Sequence, residues 1–287
     1  MDDIIIRRVF MPRVRVLGLI LSLIFLVAVE TAAQVISLSP PDVRWIGEKI
    51  FLNECDAEES CILSWNQGEE FLSLGMGHFI WYPEDYEGPF EESFPAFLEY
   101  LRTLGEEIPQ WLYVKKEPKC PWRTREHFFS NPRDPRIDEL YRFLKATKDK
   151  QVDFMIKRLT ERIPLLLKSA PAPERPRVKE NFYKVASTPA GIYALVDYMN
   201  FKGSGTYPLE RYQGQGWGLL QVLSKMGASE SPETALAEFS KAAERLLVQR
   251  VHYSPQERQE KKWLPGWRKR VRSYLTAQQE WQSLRQE

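Results

Sequence analysis

Apolar residues recur at helical spacing along most of this 287-residue chain, and the exception lies between residues 62 and 82. There, residues 62–65 read Ile-Leu-Ser-Trp, a polar turn follows, and residues 71–74 read Phe-Leu-Ser-Leu. Such a pattern predicts a small β-hairpin. Gly75 and Gly77 come next, and glycine lets a backbone turn sharply and approach a partner closely. The sequence therefore predicts a mainly α protein of the α+β class with one small hairpin.

The first predicted helix begins at Asp42, which can cap it, and continues to about Glu54. Apolar residues at positions 43, 46 and 50 form its buried stripe, and Glu54 falls at the next step of that stripe. We therefore expect the Glu54 carboxylate to point into the protein or a cleft. Further helical patterns cover residues 94–104, 137–144, 152–163, 189–202, 217–226, 232–247 and 267–275. Residues 106–134 are expected to be irregular, and the prolines between residues 171 and 176 predict a stiff connector.

The N-terminal segment has the composition of a secretory signal. Four arginines precede an apolar run at residues 16–29, and residues 31–33 read Thr-Ala-Ala, small enough for cleavage. A bilayer span needs about 20 apolar residues, so this run is short for a transmembrane helix. We expect residues 1–33 to be removed and the protein to be exported to the periplasm or cell envelope, or secreted. An uncleaved membrane anchor is the alternative.

The balance of charged residues in the sequence limits the classes of binding partner that we expect. Residues 1–33 hold four arginines and three acids, so the remaining chain carries 36 of the 40 basic and 36 of the 39 acidic residues. A freely diffusing antibacterial enzyme would usually be cationic, because attraction concentrates it at anionic envelopes. Neutrality suits a resident envelope enzyme better. Since no basic face dominates, we expect no nucleic-acid partner.

The cysteines and histidines predict neither a metal nor a cofactor. Three histidines are scattered along the chain, and no Cys-x-x-Cys or His-x-x-x-His spacing occurs. Export permits a disulfide, and Cys55 with Cys61 would close a short loop beside Glu54 while Cys120 stays free. Three buried thiols are the other interpretation, and counting alone does not separate the two.

Two stretches can carry glycan chemistry. Glycoside hydrolysis needs a proton donor for the leaving oxygen and often a second group that positions water or stabilises positive charge. Glu54 suits the donor role, because burial on an apolar stripe favours the uncharged acid; a salt-bridged glutamate at a helix end is the competing interpretation. In the second stretch, residues 212–221 read Tyr-Gln-Gly-Gln-Gly-Trp-Gly-Leu-Leu-Gln. It lacks the strand and the Gly-Lys-Ser/Thr of a nucleotide loop.

The first stretch resembles the phage-type lysozymes. Asn53-Glu54, followed by Ser-Leu-Gly-Met-Gly-His at residues 73–78, is similar to that family's catalytic glutamate and Thr-x-Gly-x-Gly-His. The resemblance implies a lysozyme-like two-lobed fold with the hairpin beside the active-site cleft. It implies cleavage of the β-1,4 glycan of peptidoglycan, with Glu54 as the acid, Ser73 orienting water and His78 mainly structural.

The resemblance continues weakly near the C-terminus. Residues 194–201 look like the family's central buried helix, and residues 267–271 resemble its arginine-rich closing helix. We therefore expect one lysozyme-like domain over residues 34–287, with a helical insertion at residues 83–187 and a C-terminal helical lobe at residues 188–287.

The identity of the second catalytic group is left open by the resemblance. The family's aspartate falls at Gln67, and Glu69 is the nearest acid in the turn. Either Glu69 replaces that aspartate, or Ser73 and water suffice, or the enzyme is a lytic transglycosylase, in which one acid is enough.

The 212–221 stretch supplies candidate sugar contacts. Gly-Leu-Leu-Gln at residues 218–221 resembles the Gly-Leu-Met-Gln of lytic transglycosylases, where it lines the sugar cleft. Candidate substrate-binding residues are Gln215, Trp217 and Gln221, together with Trp65 and His78; a core role for the aromatic residues is the competing interpretation. A non-catalytic cell-wall or protein-binding module, and a chitinase or chitosanase, are the alternative functions.

Overall fold

The structure is a computed structural model that describes residues 38–55, 58–88, 90–113, 118–207 and 211–285. The predicted signal at residues 1–33 lies outside these ranges, so its removal stays a prediction. Within the described ranges, none of the helices combines the length and the apolar character needed to cross a bilayer.

Helices dominate the described residues, and most follow the apolar stripes of the sequence. They are α1 (Pro40–Cys55), α2 (Phe94–Leu104), α3 (Gln110–Tyr113), α4 (Arg125–Ser130), α5 (Pro135–Ala146), α6 (Lys148–Ser169), α7 (Arg175–Val185), α8 (Pro189–Lys202), α9 (Leu219–Lys225), α10 (Pro232–Tyr253) and α11 (Leu264–Ser283). The predicted mainly α class is thus confirmed.

The hairpin region forms a three-stranded antiparallel sheet in the order β1 (Leu63–Ser64), β2 (Leu72–Leu74) and β3 (Phe79–Trp81). Ser73 pairs with Ser64 on one side and with Ile80 on the other. Because side chains alternate along a strand, Ser73 shares a face of the sheet with those two residues. Leu72, Leu74, Phe79 and Trp81 lie on the opposite face, in the core.

Turn and capping residues explain the helix ends. Gly105 follows α2 with a φ of 71°, a left-handed conformation that glycine adopts without steric cost. The Thr188 hydroxyl accepts a hydrogen bond of 3.0 Å from the Gly191 N–H and so caps α8. Both ends agree with the sequence-based boundaries.

Two sequence predictions about irregular segments are wrong in part. The stiff connector predicted near residues 171–176 is instead a short 3₁₀ turn, Ala172–Glu174, that leads directly into α7. Pro176 lies in the first turn of α7, where a missing N–H costs nothing. Residues 106–134, predicted to be irregular, contain the short helices α3 and α4.

Helix α8 lies at the centre of the fold. Ten consecutive residues of α8, from Ala190 to Met199, are buried, so it has almost no solvent-facing side. Helices α1, α6 and α11 pack against it, and α10 packs along α11. The helices predicted as an insertion are part of the same core, since α2 contacts β3 and α6, and α6 also contacts α1.

Candidate active site

Glu54 lies in the last turn of α1, and its side chain is 14% exposed. One carboxylate oxygen, Oε1, accepts a hydrogen bond from Nη2 of Arg270 on α11. The other oxygen, Oε2, lies 3.6 Å from Nδ1 of His78. The acid is therefore held between the C-terminal helix and the small sheet.

Arg270 is held in turn by Asp197, a fully buried residue on α8. Nε and Nη2 of Arg270 donate to the two oxygens of Asp197 over 2.9 and 2.8 Å. The Tyr274 hydroxyl and the Asn53 amide also donate to Asp197, over 2.7 and 3.1 Å. Burial opposes the charge on Arg270, but attraction to Asp197 and Glu54 outweighs it and raises the pKa of Arg270 well above its ordinary value.

Burial and contacts separate the roles of the two acids. Asp197 is fully buried and accepts four hydrogen bonds, so a bound molecule cannot reach it. Glu54 is partly exposed and is paired with Arg270, the salt-bridged arrangement that the sequence analysis gave as the competing interpretation. Of the two acids, Glu54 is therefore the one that a bound molecule can contact.

His78 connects this acid to a disulfide. Cys55 and Cys61 are bonded, which decides between the two interpretations of the cysteines, and Nε2 of His78 lies 2.9 Å from Sγ of Cys61. The potential ligand atoms of Cys55, Cys61 and His78 lie within 4.8 Å of one another. Because the two sulfurs are joined, they offer no thiolate to a metal.

The third cysteine is separate from the site. Cys120 is a buried free thiol, and burial raises its pKa to about 12. Such a thiol is almost entirely uncharged at neutral pH and therefore a poor nucleophile.

The turn between β2 and β3, residues 75–78, is fixed against α6. We call it the glycine turn. Gly75 has a φ of 70°, and the Met76 N–H donates over 2.8 Å to Oε1 of Gln151, a fully buried residue of α6. His78 itself has a φ of 46°, uncommon for a residue with a side chain. The turn thus sets the position of the histidine beside Glu54.

Ser73, the predicted water-orienting residue, is 2% exposed in the middle of β2. It lies on the face of the sheet that carries Ser64 and Ile80. The glycine turn begins two residues after Ser73. Ser73 therefore lies near the end of the sheet at which His78 contacts Glu54.

Glu69 and Trp65 lie in the turn between β1 and β2, at the other end of the sheet. Oε2 of Glu69 accepts from the Asn66 amide over 3.0 Å, and the Glu69 carbonyl accepts from Nε1 of Trp65 over 2.7 Å. Trp65 is only 2% exposed, so its ring packs in the core. The structure therefore brings His78 to Glu54 and does not bring Glu69 or Trp65 there.

The 212–221 stretch has a largely structural arrangement. Oε1 of Gln221 accepts from the Gly218 N–H, and its Nε2 donates to the Gly205 carbonyl, both over 3.0 Å. Trp217 is 3% exposed. Gln215 is exposed and closes a tight turn with Tyr212. Of the three candidate sugar contacts in this stretch, only Gln215 presents its side chain to solvent.

Several residues of the site were not predicted as such. Asp197 and Arg270 hold Glu54, and Phe201 lies against Arg270, with the guanidinium carbon 4.4 Å from the ring centre. A signal for Asp197 was present, because it is the single charged residue in the apolar run of α8. A buried charge needs a partner, which marks such a position for closer study.

The chain was compared with known proteins in three ways. No family model, no curated protein and no solved structure matches it. The resemblance to phage-type lysozymes therefore depends on the residues quoted above.

Proposed function

We propose that this protein is a peptidoglycan-cleaving glycosidase with Glu54 as the general acid. In this proposal the protein has a lysozyme-like two-lobed fold and acts outside the cytoplasmic membrane. The proposal is supported above all by the surroundings of Glu54. Its carboxylate is mostly buried, shares one guanidinium with a second carboxylate, and adjoins the histidine of the glycine turn. In the proposed role, this carboxyl group donates a proton to the oxygen of a departing sugar.

A mechanism with a single acid fits these surroundings best. Asp197 is fully buried and engaged by Arg270, Tyr274 and Asn53, so it cannot approach a sugar. Glu69 lies at the far end of the sheet. In the proposed reaction Glu54 protonates the glycosidic oxygen, and the positively charged sugar carbon is attacked by a water near Ser73 or by the sugar's own hydroxyl.

The central test replaces Glu54 with glutamine. Glu54→Gln keeps the shape of the side chain but cannot act as the acid, so turnover of purified peptidoglycan should fall by about 100-fold or more. Fragments are detected by mass analysis. Glu48→Gln is the matched control, because Glu48 is an exposed glutamate of the same helix, and it should retain full activity.

Two outcomes would contradict the proposal. A folded Glu54→Gln protein with undiminished activity would remove Glu54 from the acid role. If the wild-type protein binds peptidoglycan and releases no fragment, the chain is a binding module whose Glu54 serves only as the partner of Arg270.

Product masses and two further variants distinguish the mechanisms. Hydrolysis leaves a normal reducing end, whereas lytic transglycosylation yields anhydro-sugars lighter by one water. If water is the nucleophile, Ser73→Ala should lose most of the rate. Glu69→Gln should have little effect, because Glu69 is bonded to Asn66 in the distant turn; a large loss would make Glu69 the second carboxylate.

A further inference from the structure

Ser64, in the short strand β1, carries a hydroxyl group that the fold buries and leaves without a partner. Its Oγ atom is shielded from solvent and makes no hydrogen bond within the ranges that the structure describes. Burying a hydroxyl without a hydrogen bond is unfavourable, and nearly all buried polar groups in proteins are paired with protein atoms or with bound water. The Ser64 hydroxyl therefore marks a place where a water molecule can bind.

Ser64 lies directly opposite Ser73, the predicted water-orienting residue. The two residues are paired in the antiparallel ladder between β1 and β2, so their side chains project from the same face of the sheet. Ser73 is itself only 2% exposed. Two hydroxyl groups are thus brought together on the face of the sheet that is turned away from the apolar side chains of β2.

The spacing of this pair suits a single bridging water. Directly opposed residues of an antiparallel pair have Cβ atoms about 4.5–5.5 Å apart. A water that makes a hydrogen bond of about 2.8 Å on each side joins two oxygens that are up to about 5.6 Å apart. Because Oγ of Ser64 has no partner among the described residues, it does not bond to Ser73 directly, and a water between the two hydroxyls would pair both.

Backbone contacts place the two serines beside the candidate acid. The Ile62 carbonyl, two residues before Ser64, accepts a hydrogen bond of 2.7 Å from the Gly75 N–H in the glycine turn. Ser73 precedes Gly75 by two residues, which is about 7 Å along a strand. The glycine turn ends at His78, whose Nδ1 lies 3.6 Å from the carboxylate of the candidate acid. Both hydroxyls therefore lie near the end of the sheet that contacts this acid.

We infer that Ser64 is a positioning residue that holds, together with Ser73, the water that attacks the sugar. This inference rests on the proposed function and adds a second hydroxyl to the water site. In the reaction the water oxygen forms a bond to the sugar carbon, while the bond from that carbon to the glycosidic oxygen breaks and leaves its electron pair on the oxygen. Glu54 protonates this leaving oxygen. The attacking water passes its surplus proton to solvent, from which Glu54 regains one.

The first measurement looks for the water itself. A high-resolution crystal structure of the wild-type protein should show a water about 2.8 Å from each of the two hydroxyl oxygens. In the crystal structure of Ser64→Ala this water should be absent or displaced. The alanine variant should fold normally, because removing a hydroxyl that has no protein partner leaves no other protein group unpaired. Thermal unfolding establishes that it is folded.

The second measurement is kinetic and uses soluble glycan fragments of peptidoglycan. Ser64→Ala should lower kcat by about tenfold and change KM by less than about twofold, since the water is needed in the transition state and not for binding. Ser64→Thr keeps a hydroxyl and suits a strand, so it should recover most of the rate. Ser229→Ala is the matched control, because Ser229 carries another buried hydroxyl without a partner among the described residues, and it should keep full activity.

Product masses supply a readout that a merely structural role would not change. When the water is misplaced, the sugar's own hydroxyl competes better for the same carbon. The share of anhydro-sugars among the products should therefore rise in Ser64→Ala and return towards the wild-type share in Ser64→Thr.

The inference is overturned if the wild-type crystal structure holds no water between the two hydroxyls, if Ser64→Ala keeps the full kcat, or if Ser64→Thr is as slow as Ser64→Ala. If wild-type products are anhydro-sugars alone, cleavage through Glu54 stands and the role of Ser64 fails. If the wild-type protein releases no fragment, or if Glu54→Gln stays fully active, the proposed function fails, and the catalytic role of Ser64 fails with it even where the crystal structure shows the water.

Discussion

At the scale of single residues, Arg270 controls the charge around Glu54. It is the cation that contacts both Glu54 and the fully buried Asp197. Removing one partner of a buried ion pair leaves the other charge unpaired, and the cost is about 3–5 kcal/mol. The same arginine therefore stabilises the fold and positions the candidate acid.

The corresponding prediction concerns Arg270→Met. This variant should lower the free energy of unfolding by about 3–5 kcal/mol, measured by urea denaturation at pH 7. Arg272→Met is the matched control, because Arg272 is an exposed arginine of the same helix that pairs with Glu244 on the surface. It should leave the unfolding midpoint nearly unchanged; equal losses in the two variants would show that Arg270 holds no buried network.

Residue chemistry was only partly accessible from the sequence. The place of Glu54 on the α1 stripe predicted a largely buried carboxylate, and the structure confirms this burial. The charge partner could not be predicted, because Arg270 lies 216 residues further along the chain and several arginines of α11 were equally available.

At the scale of elements, the glycine turn is one of the contacts between the sheet and α6, beside the packing of Phe79 in β3 against Phe154 in α6. A Cβ on Gly75 would lie 2.3 Å from Oε1 of Gln151, whereas a Cβ on Gly68 would meet no atom within 4 Å. Both glycines have positive φ, 70° and 84°. The pair therefore separates the cost of a left-handed backbone from the cost of displacing the buried Gln151 side chain.

We predict different losses for the two alanine variants. Gly68→Ala should cost about 1–2 kcal/mol, the penalty of a left-handed conformation for a residue with a Cβ. Gly75→Ala should cost at least about 3 kcal/mol, because it also pushes Gln151 away from the Met76 N–H. Chemical denaturation of both variants measures the difference, and equal losses would mean that the turn is not fixed by Gln151.

Helices whose apolar residues have a clear periodicity were predictable from the sequence, whereas the helix that follows the proline-rich segment at residues 171–176 was not. The apolar stripe of α2 and the glycine that follows it predicted both ends of this helix correctly. Residues 171–176 were predicted to be a stiff connector because they contain three prolines, and α7 itself was not predicted. Only the structure shows that Pro176 lies in the first turn of α7, where its ring and missing N–H are compatible with a helix.

At the scale of the whole molecule, side-chain contacts at three positions of α1 join this first described helix to α11, the last. Asp42 at the start of α1 accepts from Trp281 and Arg285 near the end of α11, over 3.2 and 2.8 Å. Lys49 pairs with Glu280, and Glu54 with Arg270. The two helices therefore hold the candidate acid at one end of their contact and Asp42 at the other.

The Asp42 contact predicts a defined dependence of stability on pH. Burial raises the pKa of Asp42, but hydrogen bonds from Ser39, Arg285 and Trp281 outweigh this and lower its pKa to about 2. An unfolded aspartate titrates near about pH 3.9. The stabilisation is therefore complete above about pH 4 and is lost as the pH falls to about 2.

Asp42→Asn isolates this effect. At neutral pH the variant should be less stable by about 2 kcal/mol, the contribution of hydrogen bonds to a charged group. Unfolding of both proteins in urea between pH 7 and pH 2 should show the difference decrease below about pH 4 and vanish near about pH 2. A difference that stays constant down to about pH 2 would contradict the lowered pKa of Asp42.

The pairing of α1 with α11 also has a consequence for when the candidate site forms. During synthesis, Glu54 emerges long before Arg270, which lies 216 residues later. Until α11 docks, Glu54 and Asp197 have no guanidinium between them, and the candidate site does not exist. A nascent chain, or one from which a protease has removed α11, therefore lacks the candidate site, and docking of α11 completes it.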